Sequence, residues 1–418
     1  MDLGVDEMNQ DGKILRGLAA RYSLALQGAG NAEKERLHRA GNDLHMVRPV
    51  VLVDELPWHE LNQTGELTLC CEDPYLREVE CWLRRELFQF KHFRADRILR
   101  PFVPVGKVVR ATGIGLTVDE RQLATDQANH IVSHEYHDQL ATPEDLEKLH
   151  KATVVYDEAE TARRWQLVGD LVGDILPVKK VGIDHISLNP WDDIARFRGV
   201  TPLLISLAEE PEFCHQIMRR VTDIAMDIAE QYRQLGLFEN MPASLHCTPV
   251  LTDDLAPMRP DEGPVGYESL WGRGTAQIFA SVSKAMHEEF DIEYMKDTIG
   301  RCGLVYYGCC EPLDKKIDIV EKIPHLRKIS ITPWADVDIA AEAIGRRYVL
   351  SAKPNPAAVG VSRLDEEALR RELGHILSAC KRNGCACELI LKDISTCCGR
   401  PENIFEWARI AMEMVNAY

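Results

Sequence analysis

Hydrophobic positions after about residue 180 fall into short apolar runs that alternate with longer segments of helical period. The runs have the length of strands, are rich in Val, Ile and Tyr, and cover residues 182–188, 243–250, 303–310, 327–332, 347–352 and 388–394. Alternation of this kind predicts a parallel sheet with right-handed crossovers. With one or two further strands before residue 180, it predicts the α/β fold class and a (β/α)8 TIM barrel.

The segments between the runs carry apolar side chains three or four positions apart, which is typical of helices with one buried face. Three helices are predicted in this way, each with an apolar stripe that packs into the core. The stripes are Phe213, Ile217, Val221, Ile224 and Ile228, ended by Gly236; Ile278, Val282, Met286 and Phe290; and Leu369, Leu373, Ile376 and Leu377, ended by Gly384.

The chain before residue 180 is more irregular and polar. It predicts a helix near residues 13–40, an apolar strand at 48–54, an extended pair at 105–118 and a helix near 157–172. We therefore predict an N-terminal helical and extended elaboration over residues 1–180, which includes the first barrel strand or strands. Residues 181–418 form the main part of the barrel, and the two parts make one structural domain.

Charge and composition exclude several classes of function. The 49 Lys and Arg residues against 66 Asp and Glu give a net charge of -17, which disfavours nucleic acid as a partner. The sequence contains no long uncharged apolar run that would predict a membrane span. Its acidic, polar N-terminus lacks the pattern of a secretory signal. These features predict a cytoplasmic protein, in which the 13 cysteines are buried hydrophobes, ligands or nucleophiles rather than a disulfide framework.

The residues that follow the apolar runs carry the candidate chemistry, because loops at the carboxyl ends of barrel strands build the active site. They are His246-Cys247, Cys309-Cys310-Glu311, Thr332-Pro333-Trp334, Lys353-Pro354-Asn355 and Cys397-Cys398-Gly399. Two adjacent cysteine pairs on one rim favour a zinc ion with an open position for substrate, held among Cys309, Cys310, Cys397 and Cys398. The alternative is that these thiols are buried hydrophobes. His246 is a metal ligand, a substrate contact or an ordinary rim histidine.

The sequence around these residues resembles the uroporphyrinogen decarboxylase superfamily, and within it the zinc-dependent methyltransferases that act with corrinoid proteins. The resemblance extends over about residues 180–416 and is carried by the segments 202–236, 305–320, 348–356 and 397–404. It implies zinc held by one cysteine of the fifth strand, Cys310 or the adjacent Cys309, and by Cys398. Tyr307 or Gly308 stands where the family has a histidine, so the third ligand is open between the neighbouring cysteine, Glu311 and His246.

What the resemblance implies is methyl transfer between a small thiol, methyl ether or methylamine and a corrinoid carried by a small partner protein. Glu311 and Asp336 are the predicted catalytic residues, and His246, Trp191, Trp334 and Asn355 are the predicted substrate contacts. Core packing is the alternative for the tryptophans, and simple solvation the alternative for Asp336. A homodimer is one candidate assembly.

Two other functions compete with this hypothesis. One is a metal-free decarboxylase or lyase of the same superfamily, and the other is a corrinoid or small-molecule binding protein without catalysis. The acidic segment 54–58 after the first strand stands where the decarboxylases have arginines, and it would repel a polycarboxylate porphyrinogen.

Overall fold

The structure is a computed structural model that describes residues 9–123, 132–239, 244–258 and 263–418. The elements up to residue 181 are, in chain order, α1 (Gln10–Gly28), α2 (Asn31–Asn42), β1 (Val50–Val53), α3 (Trp58–Leu61), α4 (Pro74–His92), β2 (Val103–Gly106), β3 (Val109–Ala111), β4 (Glu120–Leu123), β5 (Ser133–Tyr136), β6 (Val154–Tyr156), α5 (Glu158–Val172) and β7 (Val178–Val181).

Strands and helices alternate in the second part of the chain. They are β8 (His185–Leu188), α6 (Pro190–Arg198), α7 (Val200–Glu209), α8 (Pro211–Gln234), β9 (Ser244–Leu245), β10 (Thr248–Pro249), β11 (Trp271–Gly274), α9 (Lys284–His287), α10 (Glu293–Asp297), β12 (Leu304–Tyr307), α11 (Ile317–Val320), β13 (Leu326–Ile331), α12 (Val337–Ile344), β14 (Val349–Ala352), α13 (Glu366–Asn383), β15 (Ala386–Leu391) and α14 (Glu402–Asn416).

Seven strands form one parallel sheet in the order β1-β15-β14-β13-β12-β11-β8. Strands β12 to β15 are neighbours in chain order, as expected when each is joined to the next through a helix. The predicted parallel α/β sheet is confirmed. Its closure into an eight-stranded barrel stays a prediction.

The two faces of the sheet differ in chemistry, because successive side chains of a strand point to opposite sides. One face is apolar, and Val51, Leu350 and Leu389 on it join the main hydrophobic core with residues of α13 and α14. The other face carries the buried polar residues Lys328 and Glu388. The hairpin β9-β10 packs against this second face, which we call the hairpin face.

The hairpin corrects one strand prediction. The run 243–250, predicted as a barrel strand ending in His246-Cys247, folds within its described residues as the antiparallel pair β9-β10. His246 and Cys247 are the two residues of its turn. The cause is local, since a two-residue turn reverses the chain where a sheet strand would continue. The other five runs contain sheet strands, as predicted.

The sheet contains one strand that the sequence analysis missed. Strand β11 carries two glycines, Gly272 and Gly274, so it lacks the apolar pattern of its neighbours. A Cβ at Gly272 would lie 2.7 Å from the backbone oxygen of Ile299, and one at Gly274 would lie 2.6 Å from the Ile299 side chain. Close packing of the segment behind the strand therefore requires glycine where the pattern would place a hydrophobic residue.

The helix predictions hold in part. α8 and α13 are confirmed, and each is followed by a glycine with a left-handed backbone, Gly236 (φ 64°) and Gly384 (φ 68°). The single helix predicted through residues 278–290 is wrong. That stretch is divided into a 3-10 turn (Gln277–Ser281), α9 and a π-helical turn (Glu288–Ile292). Ser283 caps α9 by accepting a hydrogen bond from the Met286 amide, which starts a new helix there.

The N-terminal predictions are confirmed for the strand at 48–54, which contains β1, and for the helix at 157–172, which is α5. The helix near 13–40 is two helices, because Gly30 adopts a left-handed backbone between them. The extended pair at 105–118 contains β3 and the end of β2, but these strands pair with β6 and β7 rather than with each other.

A second hydrophobic core lies within the N-terminal part, among residues 15–178. The predicted division of the chain at residue 180 stays a prediction. Within the described part of the chain, no helix is long and apolar enough to cross a membrane.

Candidate functional site

Thiol, imidazole, carboxylate and amine groups meet at the carboxyl end of the sheet. Five of these side chains lie just after β1, β12 and β15, and the hairpin turn contributes the other two. We call this group the rim cluster; its members are Glu55, His246, Cys247, Cys309, Cys310, Lys392 and Asp393.

The hairpin turn holds His246 and Cys247 in an unusual backbone conformation. Thr248 pairs with Leu245, so the turn has two residues, and both have positive φ, 35° for His246 and 65° for Cys247. Turns of this type usually contain Asn-Gly, because most side chains make a positive φ costly. The Cys247 side chain is buried against Val50, Leu52 and Ile390 on the hairpin face. The turn thus places both side chains over the carboxyl end of the sheet.

Cys309 is the thiol with the most polar neighbours in this cluster. Its Sγ lies 3.1 Å from His246 Nε2, 3.6 Å from Cys310 Sγ and 3.4 Å from Lys392 Nζ. The hydrogen bond from the Cys310 thiol lowers the pKa of Cys309 well below its usual range, with further help from His246 and Lys392. The same contact raises the pKa of Cys310. Of the two thiols, Cys309 is therefore the one that loses its proton more readily.

Lys392 links the thiols to the carboxylates. Its Nζ lies 2.8 Å from Asp393 Oδ2 and 3.7 Å from Glu55 Oε2, and the Asp393 amide donates to Glu55 Oε2 at 3.1 Å. Burial raises the pKa of Glu55. Burial would also raise the pKa of Asp393, but hydrogen bonds with Glu55 and Lys392 outweigh it and lower that pKa to about 2. One ammonium group thus neutralises part of a strongly anionic cluster.

Three members of the cluster can bind one metal ion. Glu55, His246 and Cys247 each offer a ligand atom, and these atoms all lie within 4.8 Å of one another. Among the residues that the structure describes, this is the one group of three or more such side chains. A carboxylate, an imidazole and a thiolate are the ligand types that zinc takes in proteins, and three protein ligands leave a position for substrate.

The two predicted cysteine pairs have different hydrogen-bond partners. Cys397 donates from its thiol to Glu60 Oε2 at 3.1 Å, and Cys398 donates to the backbone oxygen of Gly360 at 3.2 Å. In the described chain, no hydrogen bond joins either thiol to Cys309 or Cys310. The ligand set predicted across the two pairs stays a prediction, and the group that the structure assembles is a different one.

Glu311 lies beneath the cluster and is fully buried. Its carboxylate accepts from the Thr275 hydroxyl at 2.8 Å, the Ala276 amide at 3.1 Å and the Cys309 amide at 3.0 Å. Burial raises its pKa to about 6. These bonds tie the loop after β12 to the loop after β11, so the structure gives Glu311 a positioning role. Its catalytic role stays a prediction.

Replacing Glu311 by glutamine is expected to change how stability depends on pH. Because burial raises the folded-state pKa from 4.5 to about 6, the native protein loses stability as pH rises through that interval. The difference corresponds to about 2 kcal/mol. Between pH 4.5 and pH 7 the native chain should lose about 2 kcal/mol of unfolding free energy that the E311Q variant keeps. Urea unfolding of both proteins at the two pH values measures this difference. An unchanged difference would contradict the assignment.

Asp336 caps the helix α12. Its carboxylate accepts from the amides of Asp338 and Ile339 at 3.0 and 3.2 Å, which satisfies two amides of the first turn. This contact accounts for the residue without any catalysis, and its predicted catalytic role stays a prediction.

Replacing Asp336 by alanine is expected to lower the free energy of unfolding by about 1 kcal/mol, because the cap is lost. Asp336→Asn keeps a capping oxygen and should stay close to the native stability. Thermal unfolding of both variants measures this difference. Equal losses in the two variants would show that capping is not what Asp336 contributes.

The predicted substrate contacts occupy different environments. Trp191 is fully buried, donates from Nε1 to the Phe290 oxygen at 2.8 Å and packs on Phe279. That placement matches the core-packing alternative and leaves no indole surface for a substrate. Trp334 is 72% exposed at the end of β13. Asn355 caps the turn that follows it by accepting from the Ala357 amide. Of the four predicted contacts, His246 is the one in the rim cluster.

Three members of the cluster were missed in the sequence. Glu55 comes two positions after β1, and Lys392 and Asp393 directly follow β15. The rule that singled out the cysteines also covers these positions. They passed unnoticed because single charged residues after a strand are common, whereas paired cysteines are rare.

Comparison with known proteins adds no assignment. The chain matches no protein-family model, and no curated protein sequence is significantly similar to it.

Proposed function

We propose that this protein is a zinc-dependent methyltransferase that moves a methyl group between a small substrate and a corrinoid carried on a partner protein. The substrate is a thiol, a methyl ether or a methylamine. The observation that carries the proposal is the group of Glu55, His246 and Cys247 at the carboxyl edge of the sheet, whose ligand atoms lie within 4.8 Å of one another, with Cys309 Sγ 3.1 Å from His246 Nε2. The proposal includes closure of the sheet into a (β/α)8 barrel, whose mouth is this edge.

The donors of the rim cluster suit zinc because they combine sulfur, nitrogen and oxygen. Bound zinc would act as a Lewis acid, lowering the pKa of a substrate thiol or polarising an ether oxygen. Two residues around the site hold Cys309 in place. Lys392 contacts its sulfur, and the Glu311 carboxylate accepts a hydrogen bond from its amide.

Asp192 is a candidate proton donor in this reaction. Its carboxylate accepts from the amides of Gln277 and Ile278 at 3.3 and 3.1 Å, and burial raises its pKa to about 6. A carboxyl group that titrates near neutral pH can give a proton to a leaving alkoxide or amine.

The test is methyl exchange with free cobalamins. Purified protein is loaded with zinc and incubated with methylcobalamin and thiols, or with cob(I)alamin and aryl methyl ethers or methylamines, while the cobalamin spectrum is followed. We expect exchange with one substrate class, loss of exchange after chelation, and recovery with zinc. Absence of exchange with every class would overturn the proposal. Turnover of a carboxylated substrate that survives chelation would favour the metal-free lyase instead.

A further inference from the structure

We propose that Glu55, His246 and Cys247 hold the metal, and that the cysteine pairs do not. The proposed ion is a zinc-class divalent cation. Its part in methyl transfer rests on the proposed function, whereas the metal site itself can be tested without any activity.

The three donors come from two segments that meet only in the fold. Glu55 follows β1, and the hairpin turn brings His246 and Cys247 to it. The ligand atoms lie within 4.8 Å of one another, and Glu55 Oε1 is 3.9 Å from His246 Nδ1. Zinc bonds of about 2 Å on each side place two ligand atoms of a tetrahedron between 3 and 4 Å apart. Small side-chain rotations therefore bring this group to metal-binding distance.

The charges of this group suit a divalent cation. Burial raises the pKa of the free Cys247 thiol, so a bound ion would have to displace its proton. The carboxylate and the thiolate would then neutralise a charge of +2, and the imidazole adds none. Three ligands leave the fourth position of the tetrahedron for a substrate atom. The pair of Cys309 and Cys310 already has a cation beside it, because Lys392 Nζ lies 3.4 and 3.7 Å from the two sulfur atoms. A second cation bound to those thiols would have to displace the lysine.

Four of the seven non-glycine residues with positive φ in the described part of the chain belong to the rim cluster. They are Glu55, His246, Cys247 and Asp393, at 48°, 35°, 65° and 56°, whereas Leu44, His325 and Cys398 lie outside it. Conformations of this kind cost energy and are retained where the surrounding structure needs them, often at functional sites. In a two-residue hairpin turn, Asn-Gly would be cheaper. The side chains of His246 and Cys247 thus have a role that a turn alone does not require.

Cys309 then has a different role from a ligand. It lies 3.1 Å from His246 Nε2, on the side of the ring away from the nitrogen that faces Glu55. A group that accepts a hydrogen bond from the second nitrogen of a ligating histidine fixes the ring and its tautomer. Cys309 is thus a positioning residue, and Lys392 Nζ lies 3.4 Å from its sulfur.

The experiment uses Co2+ as a spectroscopic probe of the full-length protein. Chelator-treated protein is titrated with Co2+, and the near-ultraviolet charge-transfer absorption reports thiolate coordination. We expect one Co2+ per chain and one bound thiolate. The C247S and C247A variants should lose the charge-transfer absorption and bind Co2+ at least 100-fold more weakly, and E55Q should also bind it more weakly. Circular dichroism checks that each variant is folded.

The control variants are C397S and C398S, which should bind Co2+ as the native chain does. The C309S variant should keep the absorption and lose about 10- to 100-fold in affinity, as expected for a positioning residue. Absorption that persists in C247S but disappears in C310S or C398S would overturn the inference and leave the proposed function standing. No Co2+ binding at all would overturn both. Binding at Glu55, His246 and Cys247 without methyl exchange would support the inference and contradict the function.

Discussion

Replacing Glu388 by glutamine is expected to lower the free energy of unfolding by about 3–5 kcal/mol. Glu388 and Lys328 form an ion pair on the hairpin face, with Lys328 Nζ 2.9 Å from Glu388 Oε2, and both side chains are buried. Thr248 and Ser351 donate to the other carboxylate oxygen. The variant leaves the Lys328 ammonium in the interior without a countercharge, and that is the main source of the cost.

Urea unfolding of a double-mutant cycle measures this effect. The single variants K328M and E388M should each be strongly destabilised, because each leaves one unpaired buried charge. The double variant K328M/E388M should lose much less than the sum of the two, since it removes both charges of the pair. If E388Q costs less than about 1 kcal/mol, the pair is not the buried unit that the structure describes.

Exchanging the turn residues His246 and Cys247 for Asn and Gly is expected to abolish metal binding and methyl transfer. The H246N/C247G variant lacks the imidazole and the thiolate, but its turn has the residues that the backbone prefers. The matched control, H246A/C247A, lacks the same donors and keeps the strain. The Asn-Gly variant should therefore be more stable than the alanine control by about 1–3 kcal/mol.

Thermal unfolding and zinc content decide the outcome for these two variants. Neither should retain zinc after dialysis, whereas the native chain should retain one ion. Equal stability of the two variants would show that the turn is not strained. Retention of zinc by the Asn-Gly variant would show that the ligands lie elsewhere.

The strands and helices with a strong hydrophobic period could be predicted from the sequence. The stripes of α8 and α13 and the runs of β13 to β15 belong to this group, because burial of one face leaves a periodic signal. Strand β11 could not be predicted in this way, because Ile299 packs so close to it that only glycine fits at positions 272 and 274. The hairpin of β9 and β10 could not be predicted either, because its turn consists of His and Cys instead of the usual turn residues.

The location of the candidate site could be predicted from the sequence, but only some of its residues could. Cys309, Cys310 and His246 were singled out by their position in or after apolar runs. In the structure Cys309 Sγ lies 3.1 Å from His246 Nε2 and 3.6 Å from Cys310 Sγ. Cys397 and Cys398 satisfied the same rule, yet their thiols bond to Glu60 and Gly360. Residues after a strand can point in several directions, and which way depends on the loop backbone. The sequence pattern does not carry that information.

Locating zinc in a crystal of the zinc-loaded protein tests the central claim most directly. Diffraction data recorded on both sides of the zinc absorption edge give the position of the ion from its anomalous difference. We predict one peak bonded to Glu55, His246 and Cys247, with Cys309 beside the imidazole. A peak between Cys310 and Cys398, or no zinc peak at the carboxyl edge of the sheet, would contradict the claim.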